Sequence, residues 1–366
     1  MKVHVHAAIA DIDADAWDQL LGPEPNPFLR HSFLSLMEQS GSASPQTGWI
    51  PRHLAIVEDG LLVAAAPTYV KTHSMGEFVY DWGWAHLAQQ LKVEYYPKLV
   101  VAVPFSPVVG PRLLTAPGRG ELREALVGGL LELNRMLGCH GVHVLFNTPE
   151  EAQALEAFGA RTRLQTQSWW RNLDYGDFDA FLMEGLPRKR RKEVRRERRR
   201  LGETSLRMER VRAPDPVRLQ VMSAFYRRTC RMYGGNSYLN DRVWKMLPES
   251  PFLEHVQLTL GWDGDEPIAG AFNVQGPQRL YGRYWGSADD RPFLHFEACY
   301  YQGIEHCIQE GLQVFEPGHG GRHKKPRGFD PALTHSSHWL VNQRLATVLD
   351  RFLAEESASV RARLLA

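Results

Sequence analysis

Apolar positions along this chain recur at two periods, and the alternation between them sets out its elements. Residues 52–70 read RHLAIVEDGLLVAAAPTYV, two β-rich runs around Glu58, Asp59 and Gly60. An Asp-Gly pair between such runs predicts a hairpin, because it accommodates the positive φ of a tight turn. Further extended runs are expected at 77–84 and 99–103. Leu122, Leu126, Leu130 and Leu133 recur at helical spacing within 121–138, while 140–147 reads as a strand, 149–158 as a helix and 166–173 as a strand.

The second half repeats much of this order. Residues 252–261 and 267–274 flank a turn at 263–266, and 279–287 supplies a third meander strand. Residues 293–310 then read as a helix ending at Gly311, followed by a strand at 312–317. Ahead of the meander lie a highly basic helix and a second helix at 216–233, with Val217, Val221, Phe225 and Met232 on one side. A terminal helix is expected at 345–366. Helices, an antiparallel meander and a helix feeding another strand occur twice, which predicts an α+β chain of two related domains. The division is expected near 175–179, giving residues 1–175 and 176–366, the second domain carrying the basic helix 188–201 and the terminal helix.

Composition narrows the class. The chain has 366 residues, 43% of them hydrophobic, with ten tryptophans, enough for two cores. No run approaches the ~18–20 apolar residues of a membrane span, and the first residues carry no secretory cleavage pattern. Cys139, Cys230, Cys299 and Cys307 form no CxxC pair. Cys299 and Cys307 fall in one predicted helix, where cysteine packs as a small apolar side chain. A reducing, cytoplasmic setting is expected.

Charge is distributed unevenly. Residues 188–200 read RKRRKEVRRERRR, ten basic residues against two glutamates, or +8 in a chain whose formal charge is +1. The remainder therefore sums to −7. Pro187 before the run and Gly202 after it suit a helix start and stop, and Val194 and Leu201 lie seven apart on one face. Glu193 is within reach of Lys189 and Arg196, and Glu197 of Arg200, at three- or four-residue spacing. Most of the charge stays unbalanced, so this helix is expected to meet phosphates or another anion.

The densest candidate chemistry is at 315–331, FEPGHGGRHKKPRGFDP, where glycines and prolines bracket Glu316, His319, Arg322, His323, Lys324, Lys325 and Arg327 directly after a strand. Such a loop presents polar groups and exposed backbone N–H donors at a cleft. A metal-dependent hydrolase is an alternative, with His319 and His323 four apart and Glu316, His295, His335 and His338 nearby in sequence. The glycines, the proline and three cations argue against that site. No GxSxG motif is present, and the Gly118-Arg119-Gly120 turn before a helix is an ordinary loop on this reading. In the strand 279–287, alternation places Tyr281, Arg283 and Trp285 on one face and Tyr284 on the other. Arg283 among aromatics needs water, a carboxylate or a ligand phosphate.

The stretches LPRKRRKEVRRERRRL, GAFNVQGPQRLYGRYWG, FLHFEACYYQGIEHCIQEGL and FEPGHGGRHKKPRGFDP, followed by THSSHWL, resemble the FemAB-like, predicted N-acyltransferase branch of the GNAT superfamily. Weaker likeness extends through the first half. The resemblance implies two tandem GNAT-like domains, each a mostly antiparallel twisted sheet flanked by helices. It further implies transfer of an acyl or aminoacyl group to an amine by direct attack. The donor would carry phosphates, as aminoacyl-tRNA or acyl-CoA does, and would act as co-substrate, with no cofactor permanently bound. The acceptor would be an amine on a peptidoglycan precursor, peptide or small molecule. Oligomeric state is left open. On that reading Lys324 faces the developing oxyanion, His319 or His323 takes the amine proton, and Glu297 is a rival base or amine anchor. Arg188, Arg191, Arg195 and Arg198 form the phosphate-facing stripe, with Arg327, Arg283 and Trp285 supporting donor or acceptor. A non-catalytic RNA-binding module using the basic helix is the alternative of a different class.

Overall fold

The computed structural model describes residues 1–365 apart from Asn236, His319 and Arg322. Its elements are α+β and fall into two compact units, Met1–Thr166 with Leu333–Ala366, and Gln167–Ala332.

In the first unit Asp59 and Gly60 join His53–Glu58 to Leu61–Ala66, with φ of 51° and 82° at the two turn residues. Those strands combine with Lys2–His6 and Leu114–Thr115 in a four-stranded antiparallel sheet. Further strands run in the order Asp330–Leu340, Gly141–Asn147, Lys98–Val101, Thr68–Lys71, Trp49–Pro51. Lys98–Val101 and Gly141–Asn147 are parallel, and between them in sequence lies the helix Leu122–Met136. The four leucines that predicted this helix are all buried, in one core with Leu54, Ile56, Leu99 and Val142.

Two expectations are corrected here. Residues 77–84 form no strand: Phe78 and Tyr80 have positive φ, and the chain then enters the helix Trp82–Gln90. Glu77 and Asp81 are turned inward on to buried Lys98, whose Nζ donates to Glu77 Oε2 at 2.7 Å and to Asp81 Oδ2. A buried ammonium needs such partners, and meeting them bends the backbone out of any ladder. The division between units also differs from 175/176. The strand Asp330–Leu340 pairs antiparallel with Gly141–Asn147, from His335 opposite Asn147 to Leu340 opposite Gly141. Leu345, Ala346, Leu349 and Leu353 of the helix Gln343–Leu365 bury with Trp84, Ala88 and Tyr95. The terminal segment therefore belongs to the first unit, since its hydrogen bonds and its apolar face are satisfied there.

In the second unit the strand order is Leu206–Arg212, Val256–Asp263, Glu266–Gln275, Arg279–Ser287, Val314–Glu316, then Trp170 and Arg171 of Arg161–Arg171. Neighbours are antiparallel except Arg279–Ser287 with Val314–Glu316, which are parallel and separated in sequence by the helical residues 294–309. Each unit thus has one parallel pair linked through a helix beside antiparallel neighbours, the repeated plan that the pattern predicted. A bulge sets Arg283 as an extra residue: Tyr284 lies opposite Phe272 and Gly282 opposite Asn273. Simple alternation therefore fails beyond it. Tyr284 packs on Tyr226 of the helix Pro216–Met232, whereas Trp285 meets His295. Arg283 lies against Tyr284, with 5.7 Å from its guanidinium carbon to the ring centroid, so Arg283 and Trp285 do not share a face.

Gly286 lies where the helix Pro216–Met232 crosses this strand, and a Cβ there would stand 2.2 Å from the Phe225 carbonyl oxygen. Gly286→Ala should cost about 1–3 kcal/mol in urea unfolding. Gly202→Ala, at a helical glycine with nothing within 4 Å of its Cβ position, should stabilise by up to about 1 kcal/mol. Equal effects would contradict the packing described.

Candidate active site

The strand Val314–Glu316 delivers the chain into the glycine-rich loop, all within the second unit. Gly321 has φ +98°, and a Cβ there would stand 3.6 Å from both Lys324 Cε and Tyr300 Oη. The two side chains therefore converge beside a glycine. Lys324 is 2% exposed, and its Nζ donates to the Gly318 carbonyl. Burial pushes its ammonium down to about 8, because a charged group is costly in an apolar setting.

Aromatic rings carry the neighbouring cations. Phe296 lies 3.5 Å below the Arg327 guanidinium and 5.4 Å from the His323 ring. His295 contacts Phe296, Tyr300 at 5.2 Å and Trp285 at 5.0 Å. Burial and the nearby charges of His323, Lys324 and Arg327 push His295 down to about 4, so it is neutral at pH 7. Burial also pushes Glu316 up to about 7, while Arg279, 2.7 Å away, pulls it back. The centre thus combines a lysine titrating near neutrality, a neutral imidazole and a tyrosine hydroxyl.

A π turn at Glu297–Tyr301 positions these groups. Such turns add a residue to the helical ladder and are frequent at functional sites. Here Tyr300 faces the loop, whereas Tyr301 and Glu297 face the basic helix Arg188–Gly202. Glu297 accepts two bonds from Arg198, at 2.9 and 3.1 Å, and one from Gln302 at 2.8 Å. It is therefore paired with the helix and not with Arg283 or Arg327.

The basic helix divides into two faces. Val194, Leu201 and Glu197 are buried. Beside them Arg198 bonds Glu297 and Glu305 and lies 4.6 Å over the Phe178 ring. Arg195 meets Asp179 at 3.1 Å, Arg191 meets the Met183 sulfur at 2.8 Å and Arg190 meets Glu193 at 2.7 Å. By contrast Arg188, Lys189, Lys192, Arg196, Arg199 and Arg200 are exposed, and among the described residues none has a carboxylate partner. At 100° per residue these six occupy a sector of ~120°. The expected stripe of Arg188, Arg191, Arg195 and Arg198 is corrected: only Arg188 lies on the open face. Arg191 and Arg195 turn toward the Met183 thioether and the Asp179 carboxylate in the segment just before the helix, and Arg198 toward the distant Glu297 and Glu305. Glu197 does not pair with Arg200 as its spacing suggested, but with Arg327. Next to this inner face lies a cleft of about 490 Å³, with Phe178, Leu182 and Ile308 among Asp177, Arg195 and Glu305.

The structure brings together Lys324, His323 and Arg327, with Trp285 reaching the group through His295. It places Glu297, Arg195, Arg198 and Arg283 elsewhere, and His319 lies outside the described residues. Tyr300, Tyr301, His295 and Glu197 were not assigned to the reaction from the sequence; aromatic and ionisable residues packed into LHFEACYY were the available signal for the first three, and an acid interrupting the basic run for Glu197. Of the described histidines weighed for a metal, His295 and His323 both pack on Phe296, whereas His335 and His338 lie on the strand Asp330–Leu340. His338 Nδ1 lies 2.8 Å from His143 Nδ1 in the first unit, and among the described residues no group of three or more His, Cys, Asp or Glu is placed to hold a metal ion. Among the described residues no helix is long and apolar enough to cross a membrane.

Residues 8–365 match the FemAB-like family model, described as peptidoglycan biosynthesis/recognition. No curated protein matches. Among solved structures, FemX is 13% identical, with 95% of this chain and 99% of that chain covered and a TM-score of 0.55. The C-terminal domain of a putative lysylphosphatidylglycerol synthetase from Agrobacterium fabrum is 9% identical over 94% and 97%, with a TM-score of 0.59. The L-PGS structure from Bacillus licheniformis is 10% identical over 91% and 98%, at 0.53. At these identities the likeness is one of fold, and it agrees with the α+β plan described above.

The two faces of the basic helix predict opposite responses to truncation. Arg198→Ala strands a buried carboxylate at Glu297 and should cost about 1–3 kcal/mol in urea unfolding. Arg199→Ala on the open face should change stability by less than about 0.5 kcal/mol. Similar losses at both positions would refute the division.

Proposed function

The chain belongs to the FemAB-like family of peptidoglycan biosynthesis/recognition, and from that premise we propose that it transfers an aminoacyl group from aminoacyl-tRNA to an amine of a peptidoglycan precursor. The observation that carries the reading is the Lys324 centre, a buried cation beside a tyrosine hydroxyl in a glycine-rich loop.

In this mechanism the unprotonated acceptor amine attacks the ester carbonyl carbon directly, forming the C–N bond and a tetrahedral oxyanion. The Lys324 ammonium faces that oxyanion in a site of low dielectric, where such stabilisation is strongest. His323, exposed and packed on Phe296, takes the proton from the attacking nitrogen. Collapse breaks the C–O bond, and the departing ribose hydroxyl recovers a proton, leaving an amide. No covalent enzyme intermediate is required.

The open face of the basic helix supports a polynucleotide as donor. Six exposed cations from Arg188 to Arg200, none with a carboxylate partner among the described residues, extend over ~18 Å of helix at 1.5 Å per residue. Nucleic acid presents phosphates every ~3.4 Å along each strand and can use the whole length. A coenzyme A thioester carries its phosphates in a short cluster and would leave most of these cations unpaired.

The test is incubation with charged tRNA or acyl-CoA and a panel of amines, with mass spectrometry for a new amide. Product from charged tRNA is expected; no product from either donor would overturn the proposal and leave an RNA-binding module. Lys324→Met should lower kcat about 100-fold or more while the protein stays folded; unchanged turnover would reject the assigned role. Because the ammonium form is needed and its pKa is about 8, kcat should fall as pH rises through that value. Stability moves the other way. Between about 8 and the ordinary lysine value of about 10.4 the unfolded chain binds the extra proton, so Lys324 makes the fold more stable as pH rises across that window. Calorimetry across it should lose this contribution in Lys324→Met.

Arg199→Ala with Arg200→Ala should raise KM for charged tRNA, and should reduce the salt slope of tRNA binding by about one per lost phosphate contact. An unchanged slope would place tRNA elsewhere.

A further inference from the structure

Of the two glutamates in the basic run, Glu193 pairs within its own helix, but Glu197 is buried and turned inward. Its oxygens are divided between two partners: Oε1 accepts from Arg327 Nη2 at 2.8 Å, and Oε2 accepts from the Tyr301 hydroxyl. Arg327 also donates from Nε to Tyr301 Oη and from Nη1 to the His323 carbonyl, both at 2.8 Å. Each of its three nitrogens has a partner, one guanidinium face is covered by Phe296, and the residue is 8% exposed. Such a guanidinium is not free to bind a phosphate, the role its sequence position suggested. Its backbone completes the arrangement: the N–H groups of Arg327 and Phe329 both donate to the Lys324 carbonyl, at 2.8 and 3.3 Å.

One buried carboxylate on the basic helix is therefore bonded to the arginine that holds the carbonyls of His323 and Lys324, one on either side of the Lys324 α-carbon. We propose that Glu197 and Arg327 form a positioning pair that registers the Lys324 loop against the basic helix, so that an anion seated on the outer face sets the place of the Lys324 amine without touching the loop. Arg196, Arg199 and Arg200 lie within three residues of Glu197 on the open side, so a load on them acts on a rigid element whose opposite face carries Glu197. Parting a buried ion pair leaves two uncompensated charges, so loop and helix move together. A misplacement of ~1 Å in an active site can cost ~10²-fold in rate, which makes this register consequential. The kinetic part of the inference rests on the aminoacyl-transfer reading; the structural part does not.

Three variants test it. Glu197→Gln keeps shape but removes the charge, Arg327→Lys keeps charge but lacks the three-way geometry, and Tyr301→Phe keeps the ring and both charges but removes the shared hydroxyl. With charged tRNA, Glu197→Gln and Arg327→Lys should lose about 10–100-fold in kcat, with KM for tRNA within about twofold, and Tyr301→Phe should show a smaller loss of the same kind. A raised KM with unchanged kcat would overturn the proposal by making the pair part of the docking surface. In ligand-free protein, hydrogen exchange at the amides of Arg327, Gly328 and Phe329 should quicken in each variant while the helix Pro216–Met232 is unaffected. Unchanged exchange at those amides also overturns it. Wild-type protein that forms no amide from any donor sinks the transfer reading alone, and the exchange data still decide whether the pair positions the loop. If Glu197→Gln proves unfolded, the same readings on Tyr301→Phe decide.

Discussion

A carboxylate removed from water must be paired, and in the second unit that requirement falls on Glu197. Of the two acids in this strongly cationic helix, Glu193 pairs with Arg190 of the same helix, whereas Glu197 is buried and is satisfied by Tyr301 of the π turn and Arg327 of the loop. Those bonds determine which side of the helix faces inward. Val194 and Leu201 follow Glu197 into the core, and the long cations sort accordingly. Some meet carboxylates from other elements, and six are left to solvent. A run that looks uniform in sequence becomes two surfaces of different purpose.

The same bonds account for the environment of Lys324. Arg327 holds the backbone next to it, and Tyr300 and Gly321 close on its side chain, which is buried. Burial then brings the lysine down to about 8, and burial together with the surrounding cations keeps His295 uncharged. A cation that titrates within the working pH range can stabilise an oxyanion and yields its charge at modest cost. Under the proposed transfer, the donor's phosphates and the reacting carbonyl fall to different groups on connected elements.

Much of this fold was legible because its signals are local. Asp59-Gly60 specified a turn, the four leucines a helix, and Pro187 with Gly202 the limits of the basic helix. Residues 77–84 misled because Glu77 and Asp81 are spent on Lys98, a partner seen only once the chain is folded. The destination of the last strand and helix was hidden for a similar reason, since strand pairing with Gly141–Asn147 carries no periodic trace. In the site, clustered glycines marked the loop and picked out Lys324, His323 and Arg327. The stripe of Arg188, Arg191, Arg195 and Arg198 failed because Glu297 and Glu305 lie about a hundred residues from Arg198 along the chain. One extra residue at Arg283 was enough to separate it from Trp285.

The account depends most on the Lys324 amine being held in an apolar setting by the loop that Glu197 and Arg327 anchor. Titrating the lysine side chains by NMR, with Lys324 identified by its absence in Lys324→Met, measures this directly. The account predicts that Lys324 titrates near 8. A value near the ordinary ~10.4 of a solvated lysine would contradict it.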